Sequence, residues 1–205
     1  KLLDLGAKPI SLSDSSGTVI DEGGGDRDKL AYVMELKNIR RGRIKEYAEE
    51  YKLPYFPDMS VWDVIKKEGV KVDLAFPSAT QNEIDAGHAQ ALVDNGCICV
   101  SEGANMPSTL EAVEIFQGNK VLYGPAKAAN AGGVATSGLE MSQNSARLSW
   151  SREEVDQKLH GIMKSIHKTA LDAAETYGDP GNYLMGANIA GFLKYQLLGI
   201  RIVIN

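Results

Sequence analysis

The order of secondary structure along the chain most constrains its fold, because short apolar runs alternate with helical patterns through residue 125. The predicted strands cover residues 8–13, 72–79, 97–103 and 121–125. This order predicts an α/β fold with a doubly wound, mostly parallel sheet. Two long helices are predicted to follow, the first capped by Ser151 and Glu154. We therefore expect a sheet domain over residues 1–150 and a helical segment over residues 151–205.

Small polar residues lie at the end of each predicted strand and just beyond it, in residues 14–17, 77–80, 102–105 and 124–127. Parallel α/β sheets bind their ligands beyond the carboxyl ends of the strands. Four such loops together favour a nucleotide cleft. Each loop taken singly is better explained as an ordinary polar connection between a strand and a helix.

Asp14, which closes the first predicted strand, is the candidate residue for holding the ribose of a dinucleotide. An acidic residue there accepts hydrogen bonds from the 2′-hydroxyl of NAD, whereas a bare carboxylate repels the 2′-phosphate of NADP. The hydroxyl of Ser15 and the charges of Lys37 and Arg40, on the next predicted helix, can offset that repulsion. The alternative is that these cations are only the solvated face of a surface helix.

The beginning of the chain lacks one part of a dinucleotide-binding fold. Such a fold opens with a strand and a G-x-G-x-x-G/A turn, where a helix N-terminus holds the pyrophosphate. The sequence instead begins with "KLLDLGAK", which is typical of the end of an amphipathic helix closed by Gly6. We therefore expect that the chain is truncated at its amino end.

The stretch "AKAANAGGVATSGLEMSQNS", residues 126–145, has no bulky or charged side chain between Lys127 and Glu140 apart from single aliphatic residues. Small residues let a backbone lie close to a ligand or to another helix. Predicted as one helix, the stretch places Asn130 and Ser137 on the same face, seven residues apart. Tight helix–helix packing is the alternative explanation, and both can hold on opposite faces.

Composition excludes several classes of partner. A net charge of −5 argues against a nucleic-acid surface, which needs a concentrated basic patch. No apolar run approaches the roughly 20 residues that span a bilayer, and we expect no signal peptide. Cys97 and Cys99 are too few for a metal site and are expected to be buried thiols, which suits a reducing compartment. These features favour a cytoplasmic protein without nucleic-acid, membrane or metal partners.

Four motifs, in their order and spacing, give the chain a family resemblance: "SLSDSSGTV", "PSATQNEI", "SEGANMPST" and "GPAKAANAGGVATSGLEMSQNSARLSW". From residue 1 to about residue 194, the chain resembles the C-terminal, Rossmann-like cofactor domain of hexameric glutamate dehydrogenases of the NADP-dependent type. The resemblance implies reversible reductive amination of 2-oxoglutarate with ammonium by NADPH, with NAD as the alternative cofactor, in a homohexamer. It also implies a separate N-terminal substrate domain of the same protein, which carries the catalytic lysine and aspartate.

The resemblance assigns cofactor roles to residues at the matching positions. Asp14 and Ser15 match the positions that meet the adenosine ribose or its phosphate, with Lys37 and Arg40 as phosphate partners. Asn130 matches the residue that faces the carboxamide of the nicotinamide. The other implied cofactor positions are Ala79, Thr80, Gly103, Ala104 and Asn105.

The resemblance also places a substrate pocket on the bare stretch. Ser137 matches the hydroxyl that contacts the distal carboxylate of the substrate, and Val134 lines the same pocket. The Ser137 hydroxyl speaks against one alternative, a related amino-acid dehydrogenase for an apolar substrate. A second alternative is a non-catalytic nucleotide-binding module.

Three features depart from the family pattern. The glycine turn is missing, and so are the catalytic lysine and aspartate, which implies that the chain has no catalytic residue of its own. The tail of residues 195–205 is unlike the family, and its β-branched residues do not suit a helix end.

Overall fold

The computed structural model describes residues 1–204 and the side chains of residues 1–196. It divides into two compact units, unit 1 with Lys1–Lys71 and unit 2 with Val72–Asn205. Each unit contains a three-stranded sheet, and the predicted α/β class is confirmed. The domain boundary expected at residue 150 stays a prediction.

Unit 1 is built around an antiparallel sheet in which β2 lies between β1 and β3. Its elements are a 3-10 turn Leu3–Leu5, β1 Ser11–Asp14, β2 Gly17–Ile20, α1 Arg27–Asn38, α2 Ile44–Tyr51, β3 Tyr55–Pro57 and α3 Val61–Glu68. The sequence predicts two helices over residues 26–51 with a break at Arg41 and Gly42, and α1 and α2 confirm this prediction. The first strand begins at Ser11 rather than at residue 8, and it pairs antiparallel with the next strand, where the order of elements had predicted mostly parallel pairing.

Strand β3 lies in "LPYFPD", a segment that the sequence predicts as a connection. Tyr55 of β3 pairs with Val19 of β2. A three-residue strand ending at Pro57 is too short to show an alternating pattern, so the prediction was wrong. Gly17 permits this pairing, because its φ is 143° and a Cβ at this position would overlap the backbone of β3.

The core of unit 1 packs α1 and α2 against β2. Its buried residues are Val19, Leu36, Ile44, Tyr47 and Ala48. The rings of Tyr32, Tyr47 and Tyr51 have centroids 5.1 to 6.2 Å apart, so α1 and α2 also meet through aromatic contacts. This packing holds the short α1–α2 connection in place beside the end of β1.

Unit 2 contains the parallel sheet that the sequence predicts, in the order β4–β5–β6. Its elements are β4 Leu74–Ala75, α4 Ala86–Asp94, β5 Cys99–Ser101, α5 Leu110–Gly118, β6 Leu122–Gly124, α6 Ala126–Ala129, α7 Gly132–Ala146, α8 Arg152–Tyr177 and α9 Tyr183–Ile204. One face of the sheet is buried, with Val100 at its centre and the ring of Tyr123 stacked on Phe116 at 6.1 Å. The side chains of this face thus pack against helix α5 and fix the positions of the strand ends.

The cap of α5 differs from its prediction by one residue. The sequence predicts Ser108 as the N-cap, with Glu111 in the capping box. In the structure Thr109 is the N-cap, and its hydroxyl accepts a hydrogen bond from the Ala112 amide at 3.3 Å. Ser108 instead lies buried below the helix start, where its amide donates to Glu102.

The sequence predicts the two C-terminal helices over about residues 151–177 and 182–198; α8 agrees with this prediction, whereas α9 is longer. The Ser151–Glu154 capping box of α8 is confirmed, with both reciprocal hydrogen bonds present. Helix α9 continues to Ile204 although the tail was not expected to suit a helix. β-branched residues lower helix propensity by only a few tenths of a kcal/mol, about 0.7 at most, which does not end a helix. Asn205 and the side chains of residues 197–204 lie outside the described residues.

The thiols of unit 2 are free, with Cys97 buried and Cys99 half-buried. Burial raises the pKa of both thiols, which keeps them protonated. In the part of the chain that the structure describes, no helix is long and apolar enough to cross a bilayer. The same residues include no cluster of three or more His, Cys, Asp or Glu side chains arranged to hold a metal ion.

Candidate functional site

Asp14 stands at the β1–β2 turn and is held by hydrogen bonds on both carboxylate oxygens. Its Oδ1 accepts from the amide and the hydroxyl of Ser16, at 2.9 and 2.6 Å. Its Oδ2 accepts from Lys37 Nζ at 2.7 Å and from the amide of Ile44 at 2.9 Å. The carboxylate therefore ties the end of β1 to helix α1 and to the first residue of α2.

The charge of Asp14 is strongly stabilised. Burial alone would raise the pKa of this carboxyl, but the hydrogen bonds from Lys37, Ser16 and Ile44 outweigh that effect and hold its pKa well below the ordinary value. The carboxylate is therefore ionised at neutral pH.

Two cations lie at the β1–β2 turn, and only one of them was expected there. Lys37, which the sequence placed beside Asp14 as a partner for a phosphate, pairs with the Asp14 carboxylate itself. Arg40 instead forms an ion pair with Glu46, with 2.6 Å between Nη2 and Oε2. Its guanidinium also lies over the ring of Tyr32. The second cation at the turn is Arg43, whose Nη1 donates to the Ser15 hydroxyl at 2.8 Å.

Arg43 is one of four cations in this segment of the sequence, and Lys37 and Arg40 were predicted in its place because the backbone between α1 and α2 could not be foreseen. Arg41 adopts a left-handed φ of 56° and Gly42 follows, so helical spacing from Lys37 does not predict which arginine faces the turn. In the structure, Arg43 is the N-cap of α2, whose first amide donates to Asp14.

In unit 2, the end of β4 leads into a turn closed by a carboxylate. The amides of Ala79 and Thr80 both donate to Oε1 of Glu83, at 2.9 and 3.3 Å. The predicted cofactor positions Ala79 and Thr80 therefore lie in an exposed turn whose shape depends on Glu83.

The loop after β5 lies against the loop after β4. The amides of Gly103 and Ala104 both donate to the carbonyl oxygen of Pro77, at 2.8 and 3.0 Å. A Cβ at position 103 would lie 2.5 Å from Ser78 Oγ, so the small residue permits this approach. The structure thus brings together the predicted residues at these two strand ends.

Asn130 joins the loop after β5 to the start of the bare stretch. Its Nδ2 donates to Asn105 Oδ1 at 2.7 Å and to the carbonyl oxygen of Ala104 at 3.3 Å. Three predicted cofactor positions therefore form one hydrogen-bonded group in unit 2.

The prediction that Asn130 and Ser137 share one helical face was wrong. The bare stretch forms two helices, because α6 ends at Asn130 as its C-cap and α7 begins at Gly132. Val134 is 72% exposed, and the Ser137 hydroxyl donates to the carbonyl oxygen of Gly133 at 3.3 Å. The two predicted substrate positions therefore belong to a separate exposed helix, and the glycine pair at its start explains the break.

Glu102 is a buried carboxylate that the sequence analysis included in a loop but did not single out. It is 3% exposed. Its Oε2 accepts from the amide of Ala126 at 2.8 Å, and its Oε1 accepts from the amide of Ser108 at 3.3 Å. Burial, and then a hydrogen bond to Glu102, raise the pKa of the Tyr123 hydroxyl. Glu102 thus links the loop after β5 to the first residue of α6.

Comparison with known proteins gives consistent matches over most of the chain. A family model described as Glutamate/Leucine/Phenylalanine/Valine dehydrogenase matches residues 1–197. The glutamate dehydrogenase of Bacteroides thetaiotaomicron is 56% identical over 194 residues, which are 95% of this chain and 42% of that protein. The NADP-specific glutamate dehydrogenase of Escherichia coli is 51% identical, with the same two coverages.

A solved structure agrees with these matches. The glutamate dehydrogenase of Plasmodium falciparum superposes with a TM-score of 0.91 and 46% identity, over 98% of this chain and 42% of that one. The chain therefore spans about two fifths of the length of the relatives that it matches. On the match to residues 1–197, the chain belongs to the glutamate/leucine/phenylalanine/valine dehydrogenase family.

Proposed function

We propose that this chain forms the cofactor-binding part of an NADP-dependent glutamate dehydrogenase, which interconverts 2-oxoglutarate and ammonium with glutamate. Relatives from Escherichia coli and Giardia intestinalis, 51% and 52% identical, are named NADP-specific glutamate dehydrogenases. NAD is the alternative cofactor, since a relative from Xylanibacter ruminicola, 55% identical, is named NAD(P)-specific. The nicotinamide, when bound, supplies or accepts the hydride, and the residues of this chain bind and orient it.

The cations at the β1–β2 turn carry the proposal for NADP. Lys37 lies 2.7 Å from Asp14, and Arg43 lies 2.8 Å from the Ser15 hydroxyl. A carboxylate alone would repel a 2′-phosphate, but two cations outweigh one carboxylate. A guanidinium also binds phosphate oxygens in a bidentate way. Unit 1 thereby has the charge balance of a site for a phosphorylated ribose.

In unit 2, we assign the strand-end loops to the nicotinamide half of the cofactor. Ala79, Thr80 and the loop of residues 103–105 lie at the carboxyl ends of parallel strands, where such folds bind ligands. We assign Val134 and Ser137 to the distal carboxylate of the substrate. The Ser137 hydroxyl has only a long bond within its own helix, 3.3 Å, which a carboxylate can replace.

The choice of cofactor provides the test. Replacing Arg43 with alanine in the 205-residue chain should weaken NADPH binding about ten- to a hundredfold. A lost hydrogen bond to a charged group costs roughly 1.5–3 kcal/mol. NADH lacks the 2′-phosphate, so its dissociation constant should change by no more than about twofold. Calorimetric titration of both cofactors measures the two effects.

Arg41→Ala is the matched control, because Arg41 is an exposed arginine of the same connection. It should leave both dissociation constants unchanged. Equal losses for NADPH and NADH in Arg43→Ala would show that the cations do not recognise a phosphate. Failure of the wild-type chain to prefer NADPH over NADH would overturn the proposal for NADP.

We expect the 205-residue chain by itself to show no turnover. The family resemblance assigns the catalytic lysine and aspartate to a separate N-terminal domain, and this chain spans 42% of the Escherichia coli relative. NADPH oxidation in the presence of 2-oxoglutarate and ammonium, followed by absorbance, should equal the rate without protein. Measurable turnover would contradict the assignment of the chain to the cofactor side.

We also propose that the parent enzyme assembles as a homohexamer and is located in the cytoplasm.

A further inference from the structure

The amide of Asn130 has a defined orientation. Its Nδ2 lies 3.3 Å from the carbonyl oxygen of Ala104, an atom that can only accept a hydrogen bond. Turning the amide over would place two oxygens against each other. The second bond, 2.7 Å from Nδ2 to Asn105 Oδ1, uses the other hydrogen of the same nitrogen. Both donors of Asn130 are thereby used within the protein, and among the described residues Oδ1 has no partner, which leaves it for a ligand.

Glu102 connects the two backbone segments that carry Asn105 and Asn130. One carboxylate oxygen binds the amide of Ser108, at the end of the loop that contains Asn105. The other oxygen binds the amide of Ala126, four residues before Asn130 and at the start of the same short helix. Because Glu102 is buried, water does not compete for these bonds, and both amides depend on it.

We propose that Glu102 and Asn105 are positioning residues that hold Asn130 with its carbonyl oxygen turned toward the ligand. This inference rests on the proposed function, because it concerns the group that faces the nicotinamide. It adds a rule of selection to that function. A ligand group opposite Asn130 Oδ1 must donate a hydrogen bond, as the NH₂ of a carboxamide does and a methyl ketone does not.

The ligand test compares NADP⁺ with its 3-acetylpyridine analogue, in which a methyl group replaces the carboxamide NH₂. The wild-type 205-residue chain should bind NADP⁺ about five- to tenfold more tightly than the analogue, the value of one hydrogen bond. In Asn105→Ala and in Glu102→Gln this ratio should fall toward one. Asn105→Asp keeps an acceptor for Asn130 Nδ2 and should retain the ratio. Glu114→Gln, an exposed change on α5, is the control and should also retain it.

The ratio separates positioning from a general loss of stability, because a partly unfolded protein loses affinity for both ligands equally. If Asn105→Ala and Glu102→Gln keep the wild-type ratio, or if the wild-type chain does not discriminate, the inference is overturned. If the wild-type chain binds neither ligand, the proposed function fails instead, and a second measurement decides the inference.

That second measurement needs no ligand. Side-chain amide exchange, followed by NMR and assigned through the signal lost in Asn130→Asp, should be slower for Asn130 than for the exposed Asn38. In Asn105→Ala and Glu102→Gln, the exchange rate of the Asn130 side-chain amide should rise to that of Asn38. Fast exchange of Asn130 in the wild-type chain, or unchanged slow exchange in both variants, would overturn the inference.

Discussion

Gly186→Ala is expected to destabilise unit 2 by about 3 kcal/mol, the upper end for overpacking a closed contact. A Cβ on Gly186 would overlap the carbonyl oxygen of Ala170 in α8 and would lie 3.0 Å from the Cβ of Ala174. Ala170 and Ala174 are buried, so the overlap can be relieved only by moving the two helices apart. Urea unfolding, followed by circular dichroism, measures the loss.

Gly191→Ala is the matched control, since Gly191 lies in the same helix and a Cβ there would meet nothing within 4 Å. An alanine in an open helical position removes backbone freedom from the unfolded chain. It should therefore stabilise the protein by up to about 1 kcal/mol. If both variants change stability by the same amount and in the same direction, the close approach of α8 and α9 at Gly186 is wrong.

Asp14→Asn is expected to destabilise unit 1 by about 2–4 kcal/mol, because it weakens a hydrogen-bonded ion pair in which the Asp14 side chain is 12% exposed. An asparagine can place its oxygen on only one side. Either the Ser16 pair or the Ile44 amide with Lys37 then faces an NH₂ group. Thermal unfolding at pH 7 should show a clearly lowered melting temperature.

The same variant should change how stability depends on pH. The pKa of Asp14 in the folded chain lies below the ordinary value of 3.8, so its contribution is fully present above that value. The contribution is lost as the pH falls below 3.8 toward the folded pKa. Asp14→Asn should therefore lose less stability than the wild type between pH 5 and pH 2. Glu22→Gln, an exposed change in the same unit, should leave the acid dependence as in the wild type.

The parts of the fold that the sequence predicts are those with long or repeated patterns. The α8 cap at Ser151 and the parallel order of β4, β5 and β6 follow from a capping box and from regular alternation. The pairing of β1, β2 and β3 does not, because that argument assumes a helix between consecutive strands, whereas a two-residue turn joins β1 to β2. Tertiary pairing with Gly17 at the turn, rather than local preference, makes them a sheet.

The residues of the candidate site were predicted by their place after strands, and their partners were not. Asn105 and Asn130 lie 25 positions apart and meet only once β5 and β6 are adjacent. The exchange of Arg40 for Arg43 at the β1–β2 turn has a similar cause. The left-handed backbone conformation of Arg41 changes the direction of the chain. An arginine side chain does not favour this conformation, so the sequence gives no signal for it.

The carboxylate in the β4 turn has a consequence for what can approach this strand end. The amides of Ala79 and Thr80, which would otherwise attract an anion, already bind Glu83. A phosphate at this turn would be repelled by the negative charge of Glu83. It would also have to replace Glu83 as the acceptor of the two amide hydrogen bonds. Neutral hydroxyl or amino groups, which can donate to the carboxylate, face no such barrier. We therefore expect the end of β4 to accept a sugar or a base more readily than a phosphate.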